Sequence, residues 1–185
     1  MNLVPSPRRF GPEQGAIFVE FLVVFLPLLT VILGVVQLSM LYVGKAVTQR
    51  SANAAVRAAV VVLDDDPRYY GGAPRNSATG ARLEAIKRAA AVPLMSLSAD
   101  SGTVKKGIGI GEDGAGSNLS YAISNTTLSF PTGTTAGEDS DVTVRVSFDY
   151  NCGVPLGRFV LCGGDHKLTL RAEATLVNQG ASYAY

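Results

Sequence analysis

GAIFVEFLVVFLPLLTVILGVVQLSMLYVG, residues 15–44, decides what kind of protein this chain is. From Phe21 to Gly44 the stretch contains no charged side chain over 24 residues. As an α-helix, those residues would measure about 36 Å, enough to cross a hydrocarbon core of about 30 Å with some tilt. The stretch is too long for the apolar core of a signal peptide, and buried core helices rarely run so far without a polar face. We therefore predict a membrane-spanning helix over residues 21–44.

The charges that flank this stretch indicate its orientation. Arg8 and Arg9 precede it, and the positive-inside rule places such a flank in the cytoplasm. Lys45, Arg50 and Arg57 follow it, so the charge bias is not one-sided. We expect the remainder of the chain to form a head outside the cytoplasm.

The helical pattern continues beyond the apolar stretch. Polar side chains recur every four residues and share one stripe of the helix: Lys45, Gln49, Asn53 and Arg57. We predict one helix over residues 16–63, about 70 Å long, preceded by a proline-rich leader over residues 1–15. Residues 64–78 begin with three aspartates and continue with prolines and glycines. They could offer calcium ligands, but no spaced oxygen ligands follow, so a solvated linker is favoured.

The head, residues 79–185, carries both helical and strand patterns. A helix is predicted over residues 81–92, with Arg82, Lys87 and Arg88 facing solvent and Pro93 ending it. Residues 142–150 and 168–176 alternate apolar and polar side chains, which predicts two half-buried strands. Residues 119–130 and 104–110 are expected to add further strands. The expected fold class is α+β: a long N-terminal transmembrane helix that extends into a small periplasmic head with one further helix and an antiparallel β-sheet.

Two cysteines, Cys152 and Cys162, lie in the connection between the two predicted strands. A compartment outside the cytoplasm permits a disulfide there, and closing so short a loop would contribute about 3 kcal/mol. Two free buried thiols or a metal site are the alternatives. His166 is the only histidine, and this set matches no standard zinc spacing, so we predict a disulfide and no metal.

Other chemistry is poorly supported by the sequence. The net charge of +1 gives no reason to expect nucleic acid as a partner. Residues 109–114, GIGEDG, match the spacing of a phosphate-binding loop, but Glu112 and Asp113 would repel a phosphate. They are expected to form a flexible acidic connection. Asp165 beside His166 suggests catalysis, yet no nucleophile motif accompanies them. We predict a protein that is not an enzyme and has no cofactor.

The beginning of the apolar stretch carries a more specific pattern. Arg8 and Arg9 precede Gly15, Glu20 follows Gly15 by five residues, and Phe21 comes next. An ordinary signal anchor could hold Glu20 as an interfacial charge. The arrangement nevertheless resembles type IV prepilins, and more specifically the TadE-like pseudopilins of tight-adherence (Flp, Tad) pilus systems.

The resemblance continues along the chain. A proline-containing apolar run is followed by an alanine-rich segment with arginine, QRSANAAVRAAVV, and the head ends in a strand such as LTLRAEATLV. Gln37 lies where the family often has a second glutamate, and Phe21 stands where tyrosine is usual in the major pilin. A TadF- or TadG-like subfamily remains open.

The resemblance implies a function and a set of sites. A prepilin peptidase would cut between Gly15 and Ala16, and Glu20 with Phe21 would act in assembly. The partners would be other pilins or pseudopilins through the N-terminal helix, the prepilin peptidase and the inner-membrane assembly platform. The protein would be a minor pilin or pseudopilin in the bacterial inner membrane, or in a cell-surface pilus, that assists surface adherence. The alternatives are an uncleaved signal-anchored envelope protein with a binding head and a pseudopilin of a related secretion machine.

Overall fold

One helix of 53 residues, α1 (Pro12–Asp64), dominates the protein. The computed structural model describes residues 12–98, 112–137 and 139–178. At 1.5 Å per residue, α1 is about 80 Å long. It begins at Pro12, four residues before the start expected from the sequence, because proline is well suited to the first helical position, where an amide would have no partner. The helix continues without interruption through Pro27.

The second half of α1 forms one wall of the core. Small and branched side chains on one side of it are buried: Ala52, Ala55, Val56, Ala59 and Leu63. The predicted polar stripe, from Lys45 to Arg57, is exposed on the opposite side. Helix α2 (Gly80–Leu94) packs against the buried side, and the hydroxyl of Ser51 donates to the carbonyl of Ala90 at 2.6 Å. The small residues let the two backbones approach closely enough for this bond.

Two expectations for α2 are wrong. Arg82 does not face solvent; it is fully buried, because the start of α2 docks against the carbonyl end of α1, where Arg82 donates hydrogen bonds to Val62 and Asp65. Pro93 does not end the helix, since α2 continues to Leu94 before a 3₁₀ turn over Met95–Leu97. A proline this close to the end removes only one backbone hydrogen bond.

Three antiparallel strands form the sheet in the order β1 (Thr126–Ser129), β2 (Asp141–Asn151) and β3 (Lys167–Val177). The two strands predicted from alternation are confirmed as β2 and β3. In β2 the inward side chains are all buried: Val142, Val144, Val146, Phe148 and Tyr150. In β3 only the middle is buried, at Leu170 and Ala172, while Leu168 and Leu176 remain exposed. The sheet packs on α1, and the predicted α+β class is confirmed.

The strand predicted over residues 119–130 is only partly correct. Helix α3 (Glu112–Ser124) occupies its first part, and β1 occupies its second. The two elements meet at Asn125, whose backbone and side-chain amides both donate to the carbonyl of Tyr121 at 3.0 Å. Residues 112–114, expected in a flexible connection, begin α3, whereas the strand predicted over 104–110 lies outside the described residues.

Candidate functional site: the uncovered helix and its disulfide loop

The first half of α1 projects from the head and presents apolar side chains in every direction. No residue in the bare segment, residues 17–32, is buried, and Ile17, Phe18, Val24 and Val31 are among its exposed side chains. Within the described part of the chain, α1 is the one helix long and apolar enough to cross a membrane, by length and composition. So large an apolar surface requires a cover of lipid or protein.

The residues expected to act in processing and assembly lie at the start of this segment. Gly15 and Ala16 are the fourth and fifth residues of α1. Glu20 is exposed, and within the described residues its carboxylate makes no hydrogen bond or ion pair. Phe21 stacks on Phe25 one turn later, with ring centroids 5.1 Å apart. The structure thus places a single carboxylate on an otherwise apolar helical surface.

The disulfide loop lies further along the same helix. Cys152 and Cys162 form a disulfide, as the sequence predicts, with their Cα atoms 6.5 Å apart and both residues buried. The disulfide loop, residues 152–162, contains a short helix, α4 (Gly157–Leu161), that is not evident from the sequence. Helix α4 contacts α1 directly.

Two features fix α4 on α1. Gln37 is fully buried, and its Oε1 atom accepts a hydrogen bond from the amide of Val154 at 3.0 Å. A Cβ atom at Gly157 would lie only 2.8 Å from the carbonyl oxygen of Leu33, so only glycine permits this approach. Two features of the sequence relate to this contact: a polar residue in an apolar run and a glycine between the cysteines. The contact itself could not be predicted from them, because 117 residues separate Gln37 from Val154.

The far end of α1 carries a polar cluster with a structural role. Asp64 pairs with Arg75 at 2.6 Å, and Asp65 accepts a hydrogen bond from the hydroxyl of Tyr70 at 3.1 Å. Asp66 accepts from the backbone amide of Arg68 at 2.9 Å, which lowers the pKa of Asp66 below its usual value.

Tyr70 joins this cluster to α2. Burial raises the pKa of Tyr70, and its hydrogen bond to Asp65 raises it further. The guanidinium carbon of Arg82 lies 4.5 Å from the centre of the Tyr70 ring. Each of the three consecutive aspartates therefore has its own protein partner, and together these contacts fasten the turn after α1.

Comparison with protein families identifies the long helix. Residues 15–62 match the model of putative Flp pilus-assembly TadE/G-like proteins. The helix is TadE/G-like. The match confirms the resemblance to the TadE-like family, begins at Gly15 and lies wholly within α1. No curated protein and no solved structure matches the chain.

The TadE/G-like match has a clear but limited meaning. It covers 48 of the 185 residues and none of the head. It indicates involvement in Tad pilus assembly, and pilus-assembly components are not typically enzymes. The long apolar helix of the TadE/G-like segment fits a membrane-anchored protein that interacts with other pilus components.

The disulfide is expected to stabilise the head that follows the TadE/G-like segment. Cys162→Ser should lower the free energy of unfolding by about 3 kcal/mol, because the loop it closes is short and gains freedom mainly in the unfolded chain. Membrane insertion should be unchanged, since the bare segment is untouched. Denaturant unfolding of the detergent-solubilised chain measures the first effect, and membrane fractionation measures the second. Two alkylatable thiols in the native protein would contradict the assignment.

Proposed function

We propose that the protein is a minor pilin or pseudopilin of a Tad-type pilus machine, processed by a prepilin peptidase and assembled through α1 for surface adherence. The observation that carries this proposal is the bare segment, which presents one exposed carboxylate, Glu20, within a TadE/G-like match. In this organisation residues 1–15 form the leader, 16–63 the long helix, 64–78 a linker and 79–185 the head.

The bare segment supports two successive environments. Before assembly, lipid would cover its apolar side chains, and the helix would hold the protein in the inner membrane. During assembly, the N-terminal helices of other pilins or pseudopilins would replace the lipid. The bare segment suits this exchange because none of residues 17–32 is buried.

Glu20 would favour one relative position, or register, of the N-terminal helices in the assembly. A charged group at membrane depth costs at least about 2.5 kcal/mol on insertion scales. Cleavage after Gly15 would create a positive amine at Ala16, and a carboxylate in an apolar helix bundle is tolerated when it is paired. Glu20 would therefore be unfavourable in an isolated subunit and satisfied when it meets the amine of a subunit in the assembly.

The proposed location is the inner membrane with the head outside the cytoplasm. The disulfide between Cys152 and Cys162 supports this orientation, because disulfides persist in oxidising compartments and are rare in the cytosol. The proposed partners are other pilins or pseudopilins, the prepilin peptidase on the cytoplasmic side and the inner-membrane assembly platform.

Cleavage between Gly15 and Ala16 is the direct test of processing. Intact-mass analysis of protein from its native host should show the loss of residues 1–15. Gly15→Val should abolish this loss, because a β-branched residue would stand at the cleaved bond. Gly11→Val, four residues upstream, is the matched control and should still be cleaved.

Two results would reject the processing step. A full-length mature chain would favour the uncleaved, signal-anchored envelope protein with a binding head. A cut on the other side of the membrane would indicate an ordinary secretory signal. Correct cleavage without any pilus defect on deletion would favour a pseudopilin of a related secretion machine.

A further inference from the structure

The disulfide loop exposes an apolar patch of its own. Leu156, Phe159 and Val160 have 40%, 58% and 70% of their surface exposed. We call these three side chains the loop patch. The ring of Phe159 meets that of His166 edge-on, with centroids 4.8 Å apart, and still leaves most of the Phe159 side chain exposed. Apolar residues of this size in a short loop commonly mark a contact with a membrane or another protein.

The position of the loop along α1 indicates its depth. Helix α4 packs where Gly157 approaches Leu33 and Gln37. Those two residues are 13 and 17 positions beyond Glu20, the charged residue at the other end of the span. At 1.5 Å per residue they lie about 20 and 26 Å from Glu20, within a hydrocarbon core of about 30 Å. The loop patch therefore lies at the level of the acyl chains in the leaflet on the head side.

Several backbone amides of the disulfide loop have a hydrogen-bond partner within the protein. Inside the hydrocarbon region each backbone amide needs a partner within the protein. The amide of Val154 donates to the side-chain oxygen of Gln37. The amide of Gly157 donates to the carbonyl of Pro155 at 2.7 Å, and the amide of Phe159 donates to the carbonyl of Leu156 at 3.2 Å. At the loop's boundary, the amide of Cys152 donates to the carbonyl of His166 at 2.9 Å.

Beyond the loop, the chain becomes polar as it leaves that depth. Asp165 and Lys167 are exposed where β3 begins. Further along β3, Leu170 lies against Gly44, and the carbonyl of Glu173 accepts a hydrogen bond from Gln49 at 3.0 Å. Strand β3 thus runs along α1 away from the bare segment. Its exposed polar residues therefore lie farther from the membrane than the loop patch does.

We propose that the disulfide loop is a second membrane contact, in which the loop patch inserts among the acyl chains of the head-side leaflet. The patch is continuous with the apolar surface of α1, so the lipid that surrounds α1 at this level reaches it too. The loop would fix the height and rotation of the head above the bilayer.

Because the sequence contains no tryptophan, a single introduced tryptophan reports on the patch alone. Phe159→Trp is placed in the full chain and reconstituted in phosphatidylcholine vesicles, with or without bromine on the acyl chains. We expect blue-shifted emission that loses more than half of its intensity to the brominated lipid and little to aqueous iodide. Tyr69→Trp, in a position 79% exposed at the far end of the head, is the matched control and should show the opposite response.

Val160→Trp repeats the measurement at a second position of the patch, and mapping of the disulfide confirms that each variant is folded. Strong iodide quenching of both patch tryptophans, with no effect of brominated lipid, would overturn the proposal. Blue-shifted emission that reverts when the protein is diluted with lipid would show contact between copies and would also overturn it. The inference rests on membrane anchoring by α1 and does not depend on processing or on a role in a pilus.

Discussion

Arg82→Met is expected to destabilise the head by about 3–5 kcal/mol, because it leaves three carbonyls without their donor, each at about 1–3 kcal/mol. Arg82 is fully buried. Its guanidinium donates to the carbonyl of Val62, to that of Asp65 at 2.9 Å and to that of Ala73 at 3.3 Å. Two of these three carbonyls belong to the end of α1 and the residue after it.

The size of the effect follows from what the substitution leaves behind. The last carbonyls of a helix have no partner within the helix and carry partial negative charge. Methionine has a similar shape but no donor, so these carbonyls would stay buried without hydrogen bonds, each at about 1–3 kcal/mol. Arg82→Lys keeps the positive charge but lacks the planar fork of donors, so we expect it to restore only part of the stability.

Denaturant unfolding of the detergent-solubilised chain, followed by the near-ultraviolet circular dichroism of its tyrosines, measures this loss. Arg88→Met on the exposed side of α2 is the matched control and should change the free energy of unfolding by no more than about 0.5 kcal/mol. If Arg82→Met and Arg88→Met had the same small effect, the carbonyl contacts of Arg82 would not stabilise the end of α1.

The long helix and the two long strands could be predicted from the sequence because their patterns depend on local periodicity. An uncharged stretch of 24 residues fixes the type and minimum length of α1. Alternation fixes β2 and β3, since each strand turns one face to the core. The cysteine pair was predictable from its position between these two strands.

The remaining features depend on contacts between distant residues. The burial of Arg82 requires carbonyls 17 and 20 residues away, which only tertiary packing brings near. Helix α4 has five residues, too few for a periodic signal, and the contact of Gln37 with Val154 spans 117 positions. For α3, the side chains of Leu119, Tyr121 and Ile123 fit a strand equally well, and the choice is made by their packing on the core.

The candidate processing and assembly residues could be proposed from the sequence for a different reason. Gly15, Ala16, Glu20 and Phe21 form a short linear pattern whose spacing is visible without the fold. The structure adds that Glu20 is exposed on a continuous helix. It also adds the disulfide loop beside Leu33 and Gln37, within the segment predicted to span the membrane.

Glu20→Gln and Glu20→Ala are expected to abolish piliation while leaving membrane insertion intact. Both remove the carboxylate, and glutamine keeps the shape of the side chain. An isolated subunit should insert at least as well as the wild type, because a charge that costs about 2.5 kcal/mol or more at membrane depth is gone. Cleavage after Gly15 should persist in large part, since the glycine and the charged flank remain.

Assembly should fail for an electrostatic reason. In the proposed bundle, the carboxylate of Glu20 pairs with the amine of Ala16 from the same or a neighbouring subunit. Without its partner, that amine would be an uncompensated charge in apolar surroundings, which costs about 3–5 kcal/mol. Each contact between subunits would carry this cost, so the effect would accumulate along an assembly.

The measurement pairs membrane level and processing, by immunoblot, with piliation and co-purification of partner pilins. Glu84→Gln, which removes an exposed carboxylate from α2, is the matched control and should assemble normally. Normal piliation by both Glu20 variants would make Glu20 an interfacial charge with no role in register. If Glu20→Ala instead prevented insertion, the carboxylate would be favourable in the isolated subunit, and the energetic basis of the proposed exchange would be wrong. If Glu20→Gln assembled and Glu20→Ala did not, the ability of the side chain to form hydrogen bonds would matter and its charge would not.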